Sequence, residues 1–478
     1  MRFTDKWRHK TGILSVYNAW DAIPDDAPSL CGGPSTTARR LQGGNELLDR
    51  RREVVLDNVR KRYPQEASTA SLDVFPLVII IGVLLHVLAA GARAEDGIVT
   101  QREISDMIPE HHGSTVTARA NNWGILPEVG YSPDQQLNGG FKVTGRNLTA
   151  YDFTIDGEFN AAMQRQLGAD AAILMPHLLN RRAINLDEYH YYLSPDKDFF
   201  GIGNNHVRSP LSVHSVERQR ALFTFAYHLT QDLVIGASAG PRQTRISRSG
   251  MGSASLPSTL DEFPKLTGIA GGRTNPVIAS LIYNNRESIT RPTKGWSAIG
   301  TIEHVNQNLA NDFHFTRYTL DASYLHPLLT RDQILGLHLG GEYISGNGHQ
   351  IPFFELASLG GANDMRGFFP DRFLGTSRFS INAEYRVKAV NFNFRHLWDV
   401  KIDGVLFSDM GQVFISDSDL SHEFHIRAAH LPGIFEEFRY SYGTGLRIAL
   451  GEAILARLDV GFSNEQAGLV YLTFGHTF

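Results

Sequence analysis

The sequence predicts an all-β protein, a transmembrane antiparallel β-barrel of about 16 strands, which is within the range known for such barrels. Three observations carry that expectation. Apolar and polar residues alternate in blocks of roughly ten, separated by Gly, Asn, Asp and Pro clusters. An apolar run of export type precedes all of these blocks. The chain's last residue, Phe478, is an aromatic that closes an amphipathic strand.

The bulk properties permit this class without selecting it. A chain of 478 residues can hold two or three ordinary domains or one large barrel. Hydrophobic content of 42% and mean hydropathy of -0.20 suit a soluble enzyme. They equally suit strands with one face on lipid and one on water. The 45 glycines fit many turns and close backbone approaches. A net charge of -5 gives no electrostatic case for a nucleic-acid partner. The single cysteine, Cys31, sits in the N-terminal extension, so no disulfide is expected downstream.

Residues 1–70 are rich in Arg, Asp, Gly and Pro and lack sustained periodicity, which reads as a disordered or mis-assigned extension. A start near Val59 would place Arg60-Lys61-Arg62 as a basic leader. Residues 71–94 then read as a signal peptide. The apolar run Phe75–Ala90 is interrupted by Pro76 and His86, and Ala92 and Ala94 form an A-x-A site ahead of Glu95-Asp96. As a membrane anchor the run falls short of the roughly 20 residues needed. Residues 95–122 are expected to be a short periplasmic segment, and residues 123–478 the barrel.

Alternation is clearest near the C-terminus. From Phe438 to Leu450 one face carries Phe438, Tyr440, Tyr442, Leu446, Ile448 and Leu450; the other carries Arg439, Ser441, Gly443, Gly445 and Arg447. From Ile454 to Phe462 the apolar face is Ile454, Ala456, Leu458, Val460 and Phe462, with Arg457 and Asp459 opposite. The last strand sets Val470, Leu472, Phe474 and Phe478 against Tyr471, Thr473, Gly475 and Thr477. The pattern is least regular over residues 182–192 and 274–286, and 257–273 reads as an outer loop. A soluble β-sandwich would alternate too. The export signal favours a barrel, which closes so that no backbone edge is left unpaired in lipid. Phe474 and Phe478 form the C-terminal strand signature.

The segment Leu359-Gly360-Gly361-Ala362-Asn363-Asp364-Met365-Arg366-Gly367-Phe368, followed by Gly375 and Asn382-Ala383-Glu384-Tyr385-Arg386, resembles the signature of the BamA/TamA outer-membrane family, the bacterial surface antigens. Further resemblances run in order: Trp123–Pro133 as a first strand, Phe199–Asn204 as a turn, Tyr283–Glu287 where many members read D-T-R-D, and Phe407–Phe414 as F-x-D-x-G-x-V. The resemblance implies a loop folded back into the lumen, with Met365-Arg366-Gly367-Phe368 at its tip. Met365 departs from the usual Val or Ile there, and Asn284 from the usual Asp.

On the strand Phe379–Val387, alternation turns Phe379, Ile381, Ala383 and Tyr385 to lipid and Ser380, Asn382, Glu384 and Arg386 inward. Glu384 is therefore available to Arg366, whose guanidinium needs carboxylates once buried. The resemblance adds Asp409 as a second partner. Alternation alone leaves its direction open, because Val405 and Phe407 share its face, but a charge facing lipid is costly, which favours the inward placement.

The family's periplasmic POTRA domains are not expected here, since residues 95–122 are too few for one. The resemblance implies a barrel that assists insertion or translocation of proteins or lipids. Its partners would be outer-membrane lipids, the barrel-assembly machinery during biogenesis and an unknown client. The alternatives are a pore or structural barrel partly plugged by the Arg366 loop, and an outer-membrane hydrolase. For the hydrolase, Gly236-Ala237-Ser238-Ala239-Gly240 matches G-x-S-x-G, but the nucleophile elbow needs strand, sharp turn and helix, and Pro241-Arg242-Gln243-Thr244 continues as strand or loop. His111-His112 lacks ligand spacing. An enzyme, a cofactor and a metal are not expected.

Overall fold

In the computed structural model the described residues are 122–146, 148, 153–179, 182–204, 207–249, 256–288, 292–346, 348–394, 398–415, 437–450 and 454–474. The expected extension, signal peptide and nearly all of the 95–122 segment lie outside them, as do Cys31, His111-His112 and Phe478.

Among the described residues the alternating blocks form sixteen antiparallel wall strands that close on themselves. The wall begins with β1 (Asn122–Ser132), β2 (Gln136–Arg146), β3 (Thr154–Ala162), β4 (Leu167–Leu178), β5 (Ala183–Phe199) and β6 (Ser212–His228). The seventh strand is broken into β7 (Leu233–Ala239) and β8 (Arg242–Ser247), and the eighth into β9 (Gly271–Arg273) and β10 (Val277–Asn284). Both halves of the seventh pair with β6, while β7 pairs with β10 and β8 with β9.

The first break falls at Gly240-Pro241. A Cβ on Gly240 would lie 2.0 Å from the Ala221 carbonyl oxygen, so only glycine fits there. Proline, lacking an N–H, suits such an interruption of the ladder.

The wall continues through β11 (Gly295–Val305), β12 (Phe315–Pro327) and β13 (Gln333–Ser345). A long loop follows, carrying the small hairpin β14 (Ala357–Leu359) and β15 (Phe373–Gly375). Then come β16 (Ser377–Phe394), β17 (Trp398–Phe414), β18 (Arg439–Leu450), β19 (Ile454–Ser463) and β20 (Leu469–Phe474). The expected outer loop over 257–273 connects β8 to β10, but it also holds a helical turn, Thr259–Glu262, and ends in β9.

Strand faces separate as the alternation requires. Leu406, Tyr440 and Tyr442 point outward, each about 60% exposed, while Asp409, Ser441 and Arg447 on the same strands are buried inside. Large apolar side chains open on the outside form a lipid-facing band. The interior is filled at two levels. Ile184 and Leu186 of β5, Ala226 of β6, Val234 of β7, Ile282 of β10 and Ile299 of β11 make one apolar cluster on the inner wall. Loop residues Phe313, Phe353 and Leu356, with Phe199 and Phe315 at strand ends, make another.

Closure is uneven. β16 and β17 pair from Ser377↔Phe414 to Phe394↔Trp398. β20 pairs with β19 along its length but meets β1, among the described residues, at Tyr131↔Leu472 alone.

Candidate functional site

The loop between β13 and β16 returns into the barrel, and its course is set by glycines. Gly360 (φ 130°) and Gly361 (φ 91°) take left-handed conformations that side chains disfavour. A Cβ on Gly360 would stand 2.2 Å from the Phe369 carbonyl oxygen. The turn closes through Gly361 N–H to Phe368 O at 3.1 Å and Met365 N–H to Gly361 O at 3.2 Å. Met365, Phe368, Leu359, Phe373 and Val413 pack together beneath it.

This turn delivers Arg366, fully buried, to the inner faces of β16–β19. Its backbone N–H and Nε donate to Asp409 Oδ2 at 3.1 and 2.9 Å, and Nη2 to Asp409 Oδ1 at 2.6 Å. Nη1 donates to Glu384 Oε1 and lies 3.9 Å from Asp459 Oδ2. The guanidinium carbon sits 3.5 Å from the centroid of the Phe407 ring, a cation–π contact in a desolvated setting. The inner face of β17 thus carries apolar Phe407 because the loop, not water, covers it.

The carboxylates are shared. Glu384 also accepts from Arg386 Nε at 2.8 Å and Arg447 Nη2 at 2.7 Å. Asp459 accepts from Arg447 Nη1 at 2.6 Å and Arg457 Nη2 at 3.1 Å. Ser441 Oγ donates to Asp409 at 3.4 Å. Buried charges at this depth persist only when paired and hydrogen-bonded.

The wall makes room for the loop backbone. A Cβ on Gly461 would lie 2.1 Å from the Arg366 carbonyl oxygen, and one on Gly443 2.5 Å from the Phe407 ring. Ser463 Oγ and Tyr471 Oη donate to the carbonyls of Gly367 and Phe368, both at 2.7 Å.

A second network, which the alternation did not reveal, holds the base of the same loop. Glu355, from the loop, accepts from Arg317 Nη2 at 2.9 Å and Thr274 Oγ1 at 3.1 Å, and lies 3.4 Å from Arg242 Nη2. Arg317 also reaches Glu303 at 3.1 Å and Glu342 at 2.9 Å. Arg378 bridges Glu342 at 3.1 Å to the loop's Asp364 at 2.8 Å. Beyond the tip, Arg372 pairs with Glu465 at 2.8 Å.

The structure therefore brings Gly360, Gly361, Met365, Arg366, Gly367 and Phe368 together with Glu384 and Asp409. Phe474 is the last residue of β20, paired with Ala456 of β19. The Phe199–Asn204 turn also serves the loop: Gly203 N–H donates to Leu374 O at 2.7 Å, and Asn204 Oδ1 accepts from Val413 N–H at 3.5 Å. At the β10 end, Arg286 Nε donates to Asn284 Oδ1 at 3.1 Å, so an amide there still receives an arginine. Ser238 is the penultimate residue of β7, buried, accepting from Thr224 Oγ1 at 2.9 Å, and the chain goes on into strand β8 without the helix that a nucleophile elbow requires. Inward parity had exposed Arg447, Arg457 and Asp459 as lumen groups; what linked them to Arg366 was the path of the loop. Glu355 and Asp364 lie in the loop itself, where no periodicity marks a face.

Fold and site together define a closed antiparallel β-barrel with an apolar outer band, built around an inward loop with an arginine tip. Residues 270–478 match the Omp85 superfamily domain. The matched stretch holds the loop, its seat and the wall from β9 to β20. Among solved structures, BamA from Haemophilus ducreyi lacking POTRA domains 1–3 is similar at 14% identity and a TM-score of 0.54, covering 75% of this chain and 70% of that one. CdiB from Escherichia coli is similar at 11% identity and a TM-score of 0.50, covering 74% of this chain and 63% of that one, less than two thirds of its length. At these identities the likeness is one of fold. No curated protein matches the sequence.

Proposed function

We propose that this barrel works in the Gram-negative outer membrane by helping proteins or lipids enter or cross the bilayer at the β1–β20 seam. The observation that carries this reading is closure at Tyr131↔Leu472 alone among the described residues, against ladders such as β16–β17 that run the length of their strands. In lipid, unpaired backbone groups are costly, so a sparse seam is where the wall parts most cheaply. A parted β1 edge offers a client strand the backbone partners it needs. Outer-membrane lipids would be the immediate surroundings, and the barrel-assembly machinery would install the protein.

A lock tests the seam. Tyr131→Cys with Leu472→Cys, and Cys31→Ala to remove the native thiol, places two thiols at facing positions suited to a disulfide. In cells lacking the natural copy, oxidation should reproduce the outer-membrane composition of a deletion strain, and reductant should reverse it. A locked protein that supports the normal composition would defeat the proposal. A plugged barrel is the second reading, favoured by the filled interior around Arg366; its mark would be bilayer conductance unaffected by the lock.

A further inference from the structure

The inner wall carries a cation that nothing in the loop's two networks uses. Arg220, on β6, is 7% exposed and shares the inward face with Leu222 and Thr224. Its Nε and Nη1 have no hydrogen-bond partner, and no carboxylate pairs with it among the described residues.

Its neighbours are already committed. Directly opposite on β5 is His190, whose Nδ1 meets Asp170 Oδ1. Directly opposite on β8 is Arg242, engaged by Glu303, Glu355 and Thr274. Two residues along β6, Arg218 gives Nε to Thr244 Oγ1 at 3.3 Å and Nη2 to the Phe354 carbonyl at 3.0 Å. A guanidinium cannot shed its proton to escape burial, as an amine can. A buried charge without a partner is otherwise strongly disfavoured. The arginines on either side add attraction for a negative group rather than supplying one.

We propose that Arg220 is the centre of an oxyanion-binding site on the inner wall, taking the phosphate or carboxylate group of a ligand that enters the lumen. The planar fork of N–H donors fits two oxygens of such a group at once. The site lies on β6, away from β1 and β20, and stands whether or not the seam opens.

Calorimetric titration of the folded full-length barrel in detergent, at constant ionic strength, tests it with inorganic phosphate in one arm and acetate in the other. Saturable binding of either is expected, and the tighter arm tells whether the natural group is a phosphate or a carboxylate. Arg220→Gln should weaken binding by about tenfold or more, and Arg220→Lys should restore part of it as a point charge without the fork. No saturable binding by the natural protein in either arm overturns the proposal without reference to any variant. Undiminished binding by Arg220→Gln overturns it as well. If that variant does not fold, Arg220→Lys binding as tightly as the natural protein would argue against the fork.

Discussion

One loop is held at two stations whose polarity is opposite. At the tip the loop contributes a cation, Arg366, and the wall contributes the carboxylates Glu384, Asp409 and Asp459. Elsewhere the loop contributes carboxylates, Glu355 at its base and Asp364 two residues before Arg366, and the wall contributes Arg242 and Arg317 to the first and Arg378 to the second. A shifted loop would set like charges against each other at both stations. Buried ion pairs add little net stability over apolar packing, but they penalise wrong arrangements heavily. Two stations of reversed sign therefore specify one seating.

The stations also differ in how each charge is covered. Glu384 keeps Arg386 and Arg447 if the Arg366 side chain is lost, but Asp409 loses its arginine and is left with the backbone N–H of residue 366 and the Ser441 hydroxyl. Arg366→Ala is therefore expected to cost most, about 3–5 kcal/mol for a buried pair broken on one side. The compact mobility of unboiled protein on gels should be lost at a clearly lower temperature; an unchanged midpoint would erase the distinction between the stations.

Arg317→Met should cost less, about 1–3 kcal/mol. Its carboxylates keep other cations: Arg242 reaches Glu303 and Glu355, and Arg378 reaches Glu342. Combining the two substitutions sharpens the comparison. A sum within about 0.5 kcal/mol of additivity would mean independent stations, and a larger coupling would mean the loop seats as one unit.

The smallest effect belongs to an exposed pair outside both networks. Arg273 donates from its backbone and guanidinium to Asp312, and those hydrogen bonds hold the carboxyl below its usual range. A carboxyl whose pKa is lower folded than unfolded stabilises above its unfolded value, and that contribution is lost as pH falls through the folded value. Asp312→Asn should therefore slightly reduce the difference in unfolding temperature between neutral pH and pH of about 3. A difference identical to that of the natural protein would show that the pair contributes nothing.

The wall was legible because alternation has a fixed period. It placed Glu384, Arg447, Arg457 and Asp459 on inner faces, and it turned Tyr440 and Tyr442 outward. It left Asp409 open, where Val405 and Phe407 share the face, because the rule of polar-in assumes a wet lumen; the cost of a charge facing lipid was what favoured the inward side. Here Phe407 lies under the Arg366 guanidinium, so an apolar residue is correct on the inside. The base station was hidden for a different reason. Glu355 ends a single 3-10 turn and Asp364 lies in the loop beyond it, where no strand period marks a face, and their partners come from β8, β12 and β16, far apart in sequence. The breaks in the seventh and eighth strands were unread because the inward parity of Ser238 and Arg242 survives the interruption at Gly240-Pro241.

The hydrogen bond from Tyr471 to the Phe368 carbonyl bears on the order in which the molecule is made. Tyr471 belongs to β20, and its neighbour Leu472 is the residue that meets Tyr131 of β1. The tip cannot complete its seat until β18, β19 and β20 have been laid down, more than 90 residues after Arg366 in the case of Asp459 and Tyr471. Contacts of such separation form late. A seated arginine is thus a record that the final hairpin is in place, written one residue from the position where the circle joins.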